Sequence, residues 1–186
     1  MIYQQLTINK NGWLEEVTAI PTSHYNSRPH SEISLLVVHN ISLPPGEFLE
    51  DHISDFFCGK LDSRLHPYFR EISHLQVSSH CLIRRSGEII QYVSFLNRAW
   101  HAGKSFYGGR EACNDFSIGI ELEGTDVQPY TTEQYKNLAL LTNTLITEYR
   151  ELTKERITGH SDIAPNRKTD PGPSFDWNFY FNLLSK

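Results

Sequence analysis

The stretch SLLVVHNI, Ser34 to Ile41, is apolar up to the polar pair His39–Asn40 and is followed closely by the turn-former Pro44-Pro45-Gly46. A run without alternation keeps neither face for water, so it reads as a buried strand ending in a loop. Such a strand needs paired neighbours and covering helices, and the rest of the chain supplies both. EFLEDHISDFF, from Glu47, places Phe48, Leu49, Ile53, Phe56 and Phe57 on one helical face. SSHCLIRR and EIIQYV, joined by Ser86-Gly87, form a predicted hairpin. In FSIGIELEG, Phe116, Ile118, Ile120 and Leu122 should point one way, and Ser117, Gly119, Glu121 and Glu123 the other. From Thr131 the spacing turns helical. Thr131 and Gln134 suit a capping box, and Tyr135, Leu138, Leu141, Leu145 and Tyr149 continue one stripe. RITGH, Arg156 to His160, is a last short strand. Strands and helices mix without strict alternation. The expected fold is therefore mixed α/β: a central mixed β-sheet flanked by helices, in one domain over residues 1–186.

Bulk properties narrow the partners. A net charge of −5 with interspersed signs gives no nucleic-acid surface. The longest apolar runs are too short to span a bilayer. The opening MIYQQLTINKNGW lacks the basic-then-apolar order of a secretion signal, so a cytoplasmic location is expected. Three cysteines, Cys58, Cys81 and Cys113, contain no C-x-x-C pair and fit a reducing compartment. Nine histidines are the one compositional pointer to metal or proton chemistry.

Chemistry concentrates in TGHSDIAPNRKTDPGPSFDW, Thr158 to Trp177. Its prolines and glycines exclude a continuous helix or central strand, while Ile163, Phe175 and Trp177 supply anchors for a built loop. His39 at a strand end, His160 after the last strand and Asp170 in the loop make a three-ligand zinc set with a fourth position for water. Strand-end histidines are more often rim residues than ligands, and the spacing leaves both readings open. Glu121 or Glu123 suits a general base, though a solvated strand face explains both equally well. Lys168 suits an oxyanion partner or an ordinary surface lysine. Trp100 and His101 suit a groove lining, with a buried Trp as the alternative. Cys81 follows His80 on a strand, faces the opposite side and belongs to the core.

Six blocks carry a resemblance over about Gly12 to Trp177: LLVVHNISLPPGEF, HPYF, SSHCLIRRSGEIIQYV, RAWHAG, CNDFSIGIELEGTD and the loop just quoted. The chain resembles the N-acetylmuramoyl-L-alanine amidases, in particular their cytoplasmic Gram-negative members. The wider family includes peptidoglycan recognition proteins and a phage amidase. The resemblance implies one zinc ion held by His39, His160 and Asp170, with Glu121 rather than Glu123 as the catalytic carboxylate and Lys168 stabilising the tetrahedral intermediate. It implies substrate contacts from Asn40, Tyr68, Trp100 and His101. The implied substrate is a small muropeptide, with no obligate protein partner. The implied reaction cleaves the amide between the lactyl group of 1,6-anhydro-N-acetylmuramic acid and L-alanine. Such a reaction serves cell-wall recycling and lowers the signal for β-lactamase induction. Gln76 and Ala112 stand where such relatives carry arginine, leaving Arg98, Lys104 and Arg110 as nearby bases for acidic ends of the peptide. Glu121 is expected as a cleft carboxylate that contributes little to folding.

Overall fold

The computed structural model describes residues 1–48 and 50–184. Ten strands are present among them: β1 (Thr18–Ala19), β2 (Tyr25–Ser27), β3 (Leu35–Ile41), β4 (Cys81–Ile83), β5 (Ile89–Gln91), β6 (Asn97–Ala99), β7 (Phe106–Tyr107), β8 (Arg110–Glu111), β9 (Ser117–Glu123) and β10 (Ile157–Gly159). The helices are α1 (His52–Phe57), α2 (Pro67–Ile72), α3 (Thr132–Glu148), α4 (His160–Ile163) and α5 (Trp177–Leu184). A six-stranded sheet in the order β1-β5-β4-β9-β3-β10 carries the fold, and β4–β5 is its antiparallel pair, as the hairpin signal required. The other pairs in that sheet are parallel. The sheet is mixed and flanked by helices, as expected.

Strand parity divides the interior. Leu36 and Val38 of β3, Cys81 and Ile83 of β4, and Ile118, Ile120 and Leu122 of β9 share a core with α3 and α5. On the other face Leu82 and Ile90 pack with Phe56 and Phe57 of α1 and Phe69 of α2. A third cluster joins Leu35 and Val37 to Ala102, Cys113, Phe116 and Ile163. Phe116 therefore departs from the expected alternation. It precedes β9 with ψ near 8°, so the extended backbone that would set its direction begins one residue later.

The capping box at α3 forms: Gln134 N–H donates to Thr131 Oγ1 at 3.1 Å and Thr131 N–H to Gln134 Oε1 at 3.0 Å. The same Gln134 amide donates to the carbonyls of Ile83 and Glu123, at 3.1 and 2.9 Å, which docks the helix start onto the ends of β4 and β9. One local signal thus serves both capping and packing. The helix anticipated from Glu47 begins only at His52, because a turn closes from Glu47 N–H to the Pro44 carbonyl at 3.0 Å. Leu49, assigned to its apolar face, lies outside the described residues. No helix among the described residues is long and apolar enough to cross a membrane.

Candidate metal centre and active-site cleft

His39 lies near the C-terminal end of β3, paired in register with Glu121 of β9, so both side chains leave the same face of the sheet. β10 runs parallel on the other side of β3 and ends at Gly159, so His160 follows at the same edge. It opens the single helical turn α4. The sequence predicts a strand up to His160 and irregular loop beyond it, without a helical turn. The helical turn forms because Asp162 Oδ2 accepts from Gly159 N–H at 3.0 Å and Thr158 Oγ1 at 2.9 Å.

The loop then folds back on this turn. Ser161 N–H donates to the Asp170 carbonyl at 2.9 Å. The next carbonyl, Pro171, accepts from Asn40 Nδ2 at 3.1 Å and Tyr130 O–H at 2.7 Å. Gly172 has φ +80°, and a Cβ there would sit 2.3 Å from Asp126 Cα, so only glycine lets the loop pass.

These constraints bring three atoms together. His39 Nδ1, His160 Nδ1 and Asp170 Oδ2 form a triangle with all three sides 3.0 Å. Tetrahedral zinc with bonds of about 2.0–2.1 Å separates its ligand atoms by roughly 3.3 Å, close to what is seen. The proton arrangement also fits. His160 Nε2 faces the Ala102 carbonyl at 3.1 Å, and a carbonyl only accepts, so the proton sits on Nε2 and Nδ1 is a lone pair in the neutral ring. That lone pair faces the carboxylate oxygen of Asp170. Two electron-rich atoms in contact need a proton or a metal cation between them. Burial pushes the His39 imidazole down to about 4 despite the adjacent carboxylate, which keeps it neutral, as a ligand must be. For Asp170 burial acts upward, but the two adjacent imidazoles hold its carboxyl well below the usual range. The residues present suit zinc.

Glu121 borders the same cavity, a cleft of about 370 Å³ whose wall also includes Lys168 and Asn40. The alternative of a solvated strand face fails, because Glu121 and Glu123 are both buried. They differ in what they meet. Glu123 Oε2 accepts from Arg85 N–H at 2.8 Å and does not reach the cleft, whereas Glu121 Oε2 is buried without a hydrogen-bond partner. Burial, and then the charge of Asp170, raise the Glu121 carboxyl well above its ordinary range, with Lys168 acting against them. A buried, partnerless carboxyl beside a candidate metal position is placed for proton transfer and strained as a folding element.

Tyr68, Trp100 and His101 line the cleft with Phe56, Phe57 and Ile72. The Trp100 indole N–H is held by Asn26 Oδ1 at 2.9 Å and its ring stacks on His24, so the cleft is offered a fixed indole. Asn40 was expected to contact substrate, yet its amide donors are committed to Asp126 and the Pro171 carbonyl. His101 was expected to do the same. Its ring borders the cleft, but Nδ1 faces His39 Nε2 at 2.9 Å and Nε2 faces Ser117 Oγ at 3.1 Å. Arg98 and Arg110, considered as stand-ins for the arginines absent at Gln76 and Ala112, pair with Asp115 and Glu32. Neither they nor Lys104 line the cleft. The apolar floor from α1 and the clamp of Asn40 and Tyr130 on the metal loop escaped sequence reasoning, since nothing local links those segments.

The N-acetylmuramoyl-L-alanine amidase family profile matches residues 29–173. The chain is 63% identical over 175 residues to the 1,6-anhydro-N-acetylmuramyl-L-alanine amidase AmpD of Citrobacter freundii, spanning 94% of this chain and 93% of that one. A crystal structure of a selenomethionine AmpD derivative superposes with a TM-score of 0.93 at 59% identity, covering 96% of this chain and 99% of that chain. A complex of the amidase AmiD from Escherichia coli with anhydro-N-acetylmuramic acid-L-Ala-D-γ-Glu-L-Lys is similar at TM-score 0.61 and 28% identity, covering 97% of this chain and 66% of that chain. With the cleft and its donor set in place, these likenesses show that the chain belongs to the N-acetylmuramoyl-L-alanine amidase family and is an amidase.

Proposed function

We propose that this chain is a single-domain, zinc-dependent cytoplasmic amidase. It cleaves the amide between 1,6-anhydro-N-acetylmuramic acid and L-alanine in soluble muropeptides, returns the stem peptide to cell-wall recycling and so limits β-lactamase induction. The observation that carries the reading is the 3.0 Å triangle of His39 Nδ1, His160 Nδ1 and Asp170 Oδ2. Similarity to a relative named for the anhydro-muramyl substrate supports the substrate class. Three unpaired cysteines fit a reducing compartment.

Zinc at these atoms would supply Lewis acidity and a water whose pKa falls from 15.7 to roughly 7. Glu121 takes a proton from the attacking water and returns it to the alanine nitrogen, since an amide leaves only after its nitrogen is protonated. The Lys168 ammonium, on the same cleft wall, faces the oxyanion that develops on the carbonyl oxygen. Asp170 lends one negative charge to the centre, moderating its net charge. Tyr68 and Trp100 hold the substrate across the cleft, and the protein acts without an obligate partner.

The test is mass spectrometry of products from 1,6-anhydro-muropeptide and from intact sacculi, before and after chelation. Release of L-alanine-terminated peptide from the soluble substrate, lost on chelation and restored by zinc, is expected. Equal rates on sacculi would overturn the substrate assignment, and turnover in metal-free protein the zinc assignment.

A further inference from the structure

Both histidines of the triangle are braced from behind by two consecutive residues. Ala102 contributes its carbonyl, which accepts from His160 Nε2 at 3.1 Å. His101 contributes its ring, with Nδ1 2.9 Å from His39 Nε2 and the two rings edge-on at 84°. The pair is anchored by one buried side chain: Asn114 Oδ1 accepts from the His101 and Ala102 backbone N–H groups, at 3.1 and 2.8 Å.

We propose that His101 is a positioning residue that sets the ligating tautomer of His39, and that the His101–Ala102 segment, fixed by Asn114, orients both imidazoles of the metal centre. The proposal rests on the zinc reading above. A carbonyl can only accept, so the Ala102 contact at 3.1 Å, shorter than the 3.5 Å from Arg167 Nη2, favours the His160 proton on Nε2. Between His39 Nε2 and His101 Nδ1 only one nitrogen carries the shared proton. If His101 donates, the neutral His39 ring carries its proton on Nδ1, toward Asp170, and offers no ligand there. If His101 accepts, His39 Nδ1 is bare, and the His101 proton moves to Nε2 and donates to Ser117 Oγ at 3.1 Å. The two arrangements hold the same number of protons. His39 therefore becomes a ligand by a shift along the chain of hydrogen bonds rather than by losing a proton to water.

Two features keep His101 in this role. Gly119 lies inside β9, where glycine weakens a strand, and a Cβ there would come within 2.4 Å of the His101 ring. The glycine makes the seat. His80 closes the other side with its ring 5.8 Å away, and its nitrogens are engaged elsewhere: Gly119 N–H donates to its Nδ1 at 3.0 Å, and its Nε2 lies 3.1 Å from the Asn97 carbonyl and 3.2 Å from Arg28 Nη2. It therefore offers His101 no competing partner. The half-buried Arg28 donates to the carbonyls of Phe95, Asn114, Asp115 and Ser117, and its Nη2 also lies 3.2 Å from His80 Nε2.

The experiment compares wild type, His101→Leu and His101→Asn, reading zinc affinity by competition with a chromophoric chelator and the melting temperature of the metal-free proteins. Asparagine places an acceptor oxygen near the position of Nδ1, and leucine places none. The Leu variant should bind zinc roughly 10–100-fold more weakly, the usual effect of losing an outer-shell partner. The Asn variant should recover most of that affinity at an unchanged metal-free melting temperature. Unchanged affinity in Leu, or equal losses in Leu and Asn, would overturn the proposal. Should the Leu variant not fold, the wild type decides: imidazole ¹⁵N spectra of the zinc-loaded protein should show His101 protonated at Nε2 and bare at Nδ1, and the reverse pattern overturns the role. A wild type that takes up no zinc instead sinks the metal reading itself.

Discussion

Replacing Glu121 with glutamine should make the metal-free protein more stable while nearly abolishing turnover. Glu121 is buried, and its Oε2 lacks any hydrogen-bond partner. Leaving a buried polar group unsatisfied costs about 1–3 kcal/mol, and more for a charged one. Glutamine still leaves a polar atom there but removes the charge that burial and Asp170 disfavour, so the gain is the excess of the charged over the neutral penalty, about 1–2 kcal/mol. For a chain of this size that corresponds to a melting-temperature rise of roughly 2–8 °C. The pH dependence gives a second handle. A carboxyl whose folded pKa is raised binds more protons in the native than in the unfolded state, so wild-type stability falls as pH climbs from the ordinary glutamate range toward the raised value. The advantage of Glu121→Gln should therefore be near zero at about pH 4 and complete above the folded pKa. Differential scanning calorimetry of chelator-stripped proteins across this range measures it. On the zinc-loaded protein, turnover should drop by roughly 10²–10⁴, the usual worth of a positioned acid–base group. Glu123→Gln is the control, since its carboxyl is satisfied by Arg85 N–H and lies off the cleft, and turnover should persist. A Glu121→Gln protein that is no more stable at neutral pH, or whose gain ignores pH, would refute the strain argument. Exchange of the two phenotypes would refute the residue assignment.

His39→Ala, His160→Ala and Asp170→Ala should each lose both zinc, measured by elemental analysis, and turnover, because two ligands hold the ion poorly. Thiol alkylation of the folded enzyme should leave activity intact while chelation removes it: Cys81 and Cys113 are buried, and burial pushes both thiols upward. Inactivation by alkylation alone would instead favour a cysteine nucleophile. Gly119→Ala should destabilise the fold by about 1–3 kcal/mol through overpacking, read by thermal melting, because its Cβ would meet the His101 ring.

Much of this protein was decided locally and can be read from the chain. The run Leu35–Val38, the hairpin around Ser86-Gly87 and the cap at Thr131 form as written, because each depends on neighbours within a few residues. Phe116 shows the limit of periodicity, which holds only while the backbone stays extended. His39, His160 and Asp170 can be nominated from residue type and resemblance, but a separation of 121 residues between the histidines carries no distance. Only the parallel pairing of β3 with β9 and β10 brings the two histidines and Glu121 to one edge, and only the folding back of the loop adds Asp170. The same holds for whether Glu121 is strained or solvated, since desolvation is set by what packs over a carboxyl rather than by its place in a strand pattern. His101 makes the point most sharply. Gly119, a glycine inside an otherwise regular strand, was the one visible trace of its seat, and that glycine says only that something approaches closely. Which ring arrives, and which nitrogen it turns toward His39, is settled by tertiary contacts between segments 62 residues apart.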